Sequence, residues 1–340
     1  MSISHSVHNA AVVPGQLPFL VIIVSGEYTL RPMRSKRLRA DLGMLFCAMV
    51  WGGTFVAVKD ALADASVFAY LAVRFALAAV VMAALFWRSI AALDRKTLFA
   101  GAQIGFFMFG GYAFQTAGLG LTTPSKAAFI TGSSVVLVPL ILAVFGRRRI
   151  NAWVWGGALA AFAGLYFLTV PPEGLGGLNR GDPIVFCGAA MFALHVIAIS
   201  RFVGRHSVGA LSFLQVATTA ILSTLALPLL SATGWEPPRL MWSGTLIFAV
   251  LVTAFGSTVI GFSVQTWSQQ YLPPTHTAIF ISMEPVFAVL TSWLLAREVL
   301  GPRILAGGAL ILAGILIAEL KGPAPTVPES PEPVVPPAEP

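Results

Sequence analysis

Charge is what this chain has least of. Only 10% of its 340 residues are Asp, Glu, Lys or Arg, against about 25% in an ordinary soluble domain. That shortage excludes a soluble globular fold, a coiled coil and a disordered chain. Cysteine is nearly absent: Cys47 and Cys187 both sit in apolar runs and offer neither a disulfide framework nor a metal-ligand spacing. Five histidines, two of them near the N-terminus, form no cluster with acidic residues. Acid–base and metal chemistry therefore have no sequence foothold, no catalytic residue or metal ligand is expected, and an enzyme is disfavoured. No glycine run leads into a Lys-Ser or Lys-Thr, so no nucleotide site and no cofactor is expected. The net charge of +7 is split into short basic clusters between apolar stretches, which speaks for membrane loops rather than nucleic acid.

Apolar residues make up 57% of the chain. They gather into ten runs, most near the roughly 20 residues that cross a bilayer. The first five are 42–58, 67–86, 98–118, 127–145 and 152–170; the second five are 183–202, 208–230, 246–264, 278–295 and 304–320. Backbone polar groups in lipid must be satisfied within the segment, so these runs predict an all-α integral membrane protein of ten transmembrane helices. Fourteen Lys and Arg fall on the side that carries the N-terminus and six on the other, with Arg74 inside a span. That bias predicts a multi-pass protein of the cell (inner) membrane with both termini cytoplasmic.

Residues 1–38 read as a cytoplasmic extension whose one apolar run, 17–24, is too short to span. Met33, just before the basic flank, is the expected native start. Residues 321–340 form a Pro-rich cytoplasmic tail with no packing capacity.

The two halves match each other. Shifted by 141 positions, Asp41 falls on Asp182 and Ser66-Val67 on Ser207-Val208. Shifted by 150, Gly111-Tyr-Ala-Phe-Gln-Thr falls on Gly261-Phe-Ser-Val-Gln-Thr, and shifted by 151, Gly156-Gly-Ala-Leu falls on Gly307-Gly-Ala-Leu. The repeats are 39–170 and 182–320, joined by a linker at 171–181. Five helices are an odd number, so the second copy is expected upside down. Inverted repeats around a central site are the architecture of many secondary transporters.

Ionisable side chains at membrane depth mark functional sites. Glu284, beside Pro285 in the ninth run, suits an amine, a cation or a proton, or a structural hydrogen bond. Arg74 in the second run is its opposite in sign, and a pairing of the two would lower the burden of both. Their repeat counterparts are neutral: Ser133 for Glu284 and Gln215 for Arg74. His195 is a proton-coupling candidate or a packed histidine, and Lys126 attracts an anion or snorkels to the interface. Gln115 and Gln265 are repeat partners that line a cavity or join helices. Trp51 and Tyr112 would wall a flat substrate. Gly101 with Gly105, Gly156-Gly157 and Gly307-Gly308 read as packing faces.

With these residues in view, the chain resembles the ten-helix EamA group of the drug/metabolite transporter superfamily. Phe280-Ile-Ser-Met-Glu-Pro-Val-Phe through Arg297-Glu-Val-Leu-Gly-Pro is similar to that family's ninth and tenth helices. Thr123-Pro-Ser-Lys-Ala-Ala-Phe-Ile-Thr-Gly, Trp51-Gly and Arg74-Phe75 fit its first half. One departure is Gly146-Arg-Arg-Arg, where the family usually carries a Glu after its fourth helix. The resemblance implies a basket of ten helices that exports a small metabolite or drug-like compound through a central cavity. Import or exchange of the same class, and a non-transporting scaffold, are the other readings. The expected partners are a small-molecule substrate, the bilayer and a coupling proton, with no nucleic acid; oligomeric state is not legible.

Overall fold

A computed structural model describes residues 30–122, 124–147, 149–170, 172–174, 179–235, 237–296 and 301–321. Expectations for the N-terminal extension up to residue 29, including its apolar run, and for the Pro-rich tail beyond 321 lie outside them. So do the side chains of Met33, Lys126 and Glu319.

The described chain is all helix: α1 Leu30–Ala61, α2 Val67–Leu85, α3 Trp87–Ala91, α4 Arg95–Leu119, α5 Pro124–Gly132, α6 Ser134–Val144, α7 Ala152–Thr169, α8 Gly181–Phe202 and α9 Val208–Ala232. It continues with α10 Gly244–Ser268, α11 Pro274–Ile281, α12 Glu284–Ala296 and α13 Pro302–Lys321. Among the described residues seven helices are long and apolar enough to cross a membrane, and two shorter apolar helical stretches, Phe129–Val144 and Pro302–Ala318, accompany them. The fold is an all-α membrane protein.

Two of the ten expected continuous spans are broken. The fourth divides at Ser133 into α5 and α6, and the ninth divides at Ser282-Met283 into α11 and α12. Neither piece reaches the roughly 20 residues of a full crossing. The breaks have local causes. The Ser133 hydroxyl donates to the Ile130 carbonyl at 2.5 Å and the Ser282 hydroxyl to the Ile279 carbonyl at 2.5 Å, drawing each helix end into a tight turn. Pro285 then sits in the first turn of α12, where its missing N–H is harmless. A second difference is at the start: α1 begins at Leu30, twelve residues before the apolar run, because the basic segment is itself helical.

Helix packing rests on glycine. A Cβ at Gly157 would stand 2.6 Å from the Gly314 carbonyl, and one at Gly164 would stand 2.6 Å from the Gly307 carbonyl. Helices α7 and α13 thus touch backbone to backbone, as small residues permit in membranes. Gly188 of α8 meets the Gly111 carbonyl and Gln115 of α4, and Gly105 of α4 meets the Gln215 carbonyl of α9. Of the paired glycines singled out in sequence, Gly101, Gly105, Gly157 and Gly307 carry the packing. Gly156 faces open space, and Gly308 has only Val286 at 3.9 Å. Cys47 is buried, its thiol donating to the Gly261 carbonyl at 3.3 Å, whereas Cys187 is exposed on the outside of the bundle.

The α1–α2 connection is fastened to the stretch before α10. Ala65 and Leu240 form an antiparallel bridge, Ser66 N–H donates to the Arg239 carbonyl at 2.8 Å, and Met241 N–H donates to the Asp64 carbonyl at 2.9 Å.

Candidate functional site

Helices from both halves enclose a cavity of about 390 Å³. It reaches Leu119 and Thr169, the last residues of α4 and α7. Toward the other end, the Gln269 amide donates to the Val196 carbonyl at 2.8 Å and to Ser200 Oγ at 2.7 Å, tying α8 to α10. Leu272 and Thr277 are buried close by.

Seven of the nine residues singled out in sequence line this cavity: Trp51, Arg74, Tyr112, Gln115, His195, Gln265 and Glu284. Ser133 is not on the wall, since its hydroxyl is turned back onto Ile130; Thr131 and Ser134 stand there instead. The side chain of Lys126 lies outside the described residues, although its backbone belongs to α5.

Arg74 and Glu284 share the cavity, yet among the described residues no ion pair joins them. Of the two ways they could pair, directly or across the cavity, the direct contact is not made, and Arg74 is held instead in a neutral cradle. Arg74 Nε donates to Thr258 Oγ1 at 3.1 Å and Nη2 donates to the Tyr112 hydroxyl at 3.4 Å. The guanidinium also lies 5.0 Å from the ring centroids of Phe75 and Tyr112, within cation–π range. Glu284 opens α12, so its carboxyl stands at a half-helix start on the cavity wall, with no hydrogen-bond partner among the described residues. One cation and one carboxyl are thereby held apart, each with bonding capacity to spare.

The cradle depends on an irregular helix. Residues Val252–Phe262 of α10 are wound as a π-helix, a rare geometry often found at functional sites. Trp51 Nε1 donates to the Ser257 carbonyl at 3.0 Å, and Tyr70 bonds Thr253 Oγ1 at 2.9 Å. Thr253 donates its own proton to the Ala249 carbonyl at 2.7 Å, so Tyr70 is the donor of that pair. Thr258 donates to the Thr253 carbonyl at 2.9 Å, which leaves its lone pairs for Arg74.

His195 is fully built into a second network. Gln215 Nε2 donates to Thr266 Oγ1 at 2.9 Å, so the oxygen Gln215 Oε1 faces His195 Nε2 at 2.8 Å and fixes that nitrogen as the donor. Gln115 Nε2 donates to Thr131 Oγ1 at 3.1 Å. Its repeat partner Gln265 has a buried Oε1 with no partner among the described residues. Among the described residues no group of His, Cys, Asp and Glu could hold a metal ion.

Tyr70, Thr253, Ser257, Thr258, Phe192 and Phe262 were passed over in the sequence. The signal existed: three hydroxyls within six residues of an apolar run, and the repeat shifts that carry Trp51 onto Phe192 and Tyr112 onto Phe262.

Comparison with known proteins agrees with this architecture. A family model described as the EamA-like transporter family matches residues 38–170 and again 179–320. An uncharacterized transporter of Archaeoglobus fulgidus is 36% identical over 84% of this chain and 87% of its own. The threonine/homoserine exporter RhtA of Escherichia coli is 27% identical over 72% of this chain and 79% of its own. A solved crystal structure superposes with a TM-score of 0.70, covering 83% of this chain and 97% of that one at 20% identity, a likeness of fold alone.

Proposed function

From the premise that this chain belongs to the EamA-like transporter family of the drug/metabolite transporter superfamily, and is a membrane transporter rather than an enzyme, we propose that it exports a small zwitterionic metabolite of amino-acid size by alternating access. The observation that carries this reading is the separation of Arg74 from Glu284 on the walls of one cavity of about 390 Å³. Arg74 takes the carboxylate end and Glu284 the ammonium end, with the free Gln265 Oε1 as a second acceptor. A volume near the low end of ligand pockets suits a small solute. RhtA, a relative, is named an exporter of two amino acids.

Ten spans in two inverted five-helix repeats would supply the motion. Packing supports that arrangement, because its main helix contacts recur when the halves are exchanged. Helix α1 packs on α10 as α8 packs on α4, α2 packs on α10 as α9 packs on α4, and α1 packs on α12 as α8 packs on α5 and α6. The self-related pairs α2 with α9 and α7 with α13 lie in contact. Both termini then face the cytoplasm of the inner membrane, and Glu284 or His195 carries the coupling proton.

Proteoliposomes loaded with single amino acids test the reading. Efflux of at least one of them is expected, accelerated by a proton gradient, and strongly reduced in Arg74→Ala. Equal flux through Arg74→Ala and the parent chain for every solute would overturn it.

A further inference from the structure

The fastening between the α1–α2 connection and the stretch before α10 has a counterpart at the other end of α2. There the α2–α4 connection, which contains α3, meets the α8–α9 connection. The repeat shift carries Ser66 onto Ser207. Where Ser66 lies in a run of backbone bonds, Ser207 makes a single long contact, donating to Ser89 Oγ at 3.2 Å. Thr97 Oγ1 meets His206 Nδ1 at 2.8 Å. Gly209 at the start of α9 packs close to Phe86 and Ser89, and beside these contacts the two connections border a cleft of about 1130 Å³.

Its lining is strongly basic. Arg88, Arg95 and Lys96 come from the first half and Arg205 from the second. Asp94 is the one acid on the wall, and it is engaged in capping α4, accepting from Thr97 N–H at 2.8 Å. No ion pair involves any of the four cations among the described residues. Beside the cleft Trp87 and Phe99 are 59% and 69% exposed, and Arg88 lies 5.3 Å over the Trp87 ring. Exposed aromatics beside basic residues mark the headgroup level of a bilayer.

We propose that this cleft binds the phosphate of an anionic phospholipid headgroup, with Arg88, Arg95, Lys96 and Arg205 as its ligands. Four unpaired cations around a concave space recognise a phosphate, and the neighbouring aromatic surface places that phosphate on a lipid. The lipid adds a link between the two halves beside the Ser207–Ser89 and Thr97–His206 bonds.

Native mass spectrometry of the full chain in neutral detergent, incubated with phosphatidylglycerol or phosphatidylcholine, tests this. Phosphatidylglycerol should stay bound in preference to phosphatidylcholine. The double substitution Arg95→Gln with Arg205→Gln should weaken its retention about fivefold per charge removed. Arg39→Gln, outside the cleft, should leave it unchanged. Ala92→Glu, an exposed position on the cleft wall, should also expel the lipid and serves if the double variant fails to assemble. Equal retention in parent and Ala92→Glu, or no preference between the two lipids, would overturn the proposal. Binding of inorganic phosphate that needs Arg95 and Arg205, without lipid retention, would assign the cleft to soluble phosphate and overturn it too.

Discussion

Trp51 and Phe192 stand at the same place in the two halves, and each lies 5.3 Å from an aromatic partner of the other pair of equivalents. Trp51 packs on Phe262 and Phe192 packs on Tyr112, and Tyr112 and Phe262 meet at 6.3 Å. The duplication thus builds a four-ring cluster across the cavity from two pairs of corresponding residues. Aromatic pairs of this geometry couple by about 1 kcal/mol beyond their burial. Double-mutant cycles to Leu on Trp51 with Phe262 and on Phe192 with Tyr112 should each return about that coupling in thermal unfolding.

Removing Arg74 should weaken recognition while leaving the fold. Its bonds run to the neutral Thr258 and Tyr112 hydroxyls, so Arg74→Gln takes no hydrogen-bond partner from a carboxylate. Hydrogen bonds to charged groups contribute about 1.5–3 kcal/mol. Substrate affinity should therefore fall about thirtyfold, as read by binding to the purified chain. Arg74→Lys should recover part of it.

Glycine substitutions along α7 should separate sharply. Gly157→Val and Gly164→Val drive side chains into backbone carbonyls of α13, and overpacking of this kind costs about 1–3 kcal/mol. Gly156→Ala, with nothing within 4 Å of the added atom, should unfold at the parent temperature.

A pH effect should trace to Asp94. The Thr97 hydroxyl and then the Thr97 N–H hold its carboxyl below the usual carboxylate range. A lowered folded value means the cap is fully effective above the unfolded value of about 3.9 and is lost as pH falls through the folded one. The difference in unfolding temperature between the parent and Asp94→Asn should be flat above about pH 5 and shrink below it.

The two thiols should differ in reactivity. A membrane-permeant maleimide should label the exposed Cys187 in the native chain and spare Cys47 until the chain is denatured. Mass spectrometry of the labelled protein reads this directly.

Much of the site was legible because duplication writes its correspondences into the residues. Arg74, Glu284, His195, Gln115 and Gln265 stand out as polar groups in apolar runs, and all five reach the cavity. What eluded the sequence is local geometry. Ser133 and Ser282 break their helices through hydroxyl bonds to their own preceding turns, and such bonds have no periodic signature. The π-helical turn of α10 is set by Trp51, Tyr70 and Arg74, more than 180 residues away in the chain. That Arg74 and Glu284 share one cavity was legible from charge, but that the near partners of Arg74 are the hydroxyls of Thr258 and Tyr112 was not.

The carbonyl-to-glycine seam between α7 and α13 has a mechanical consequence. Side chains can swap rotamers and let two helices slip, but where Gly157 and Gly164 meet the Gly314 and Gly307 carbonyls no side chain stands between the backbones to do so. In the proposed alternating-access cycle these two rods, one from each half, are the pair with the least room to slide, which leaves the swinging to the remaining helices.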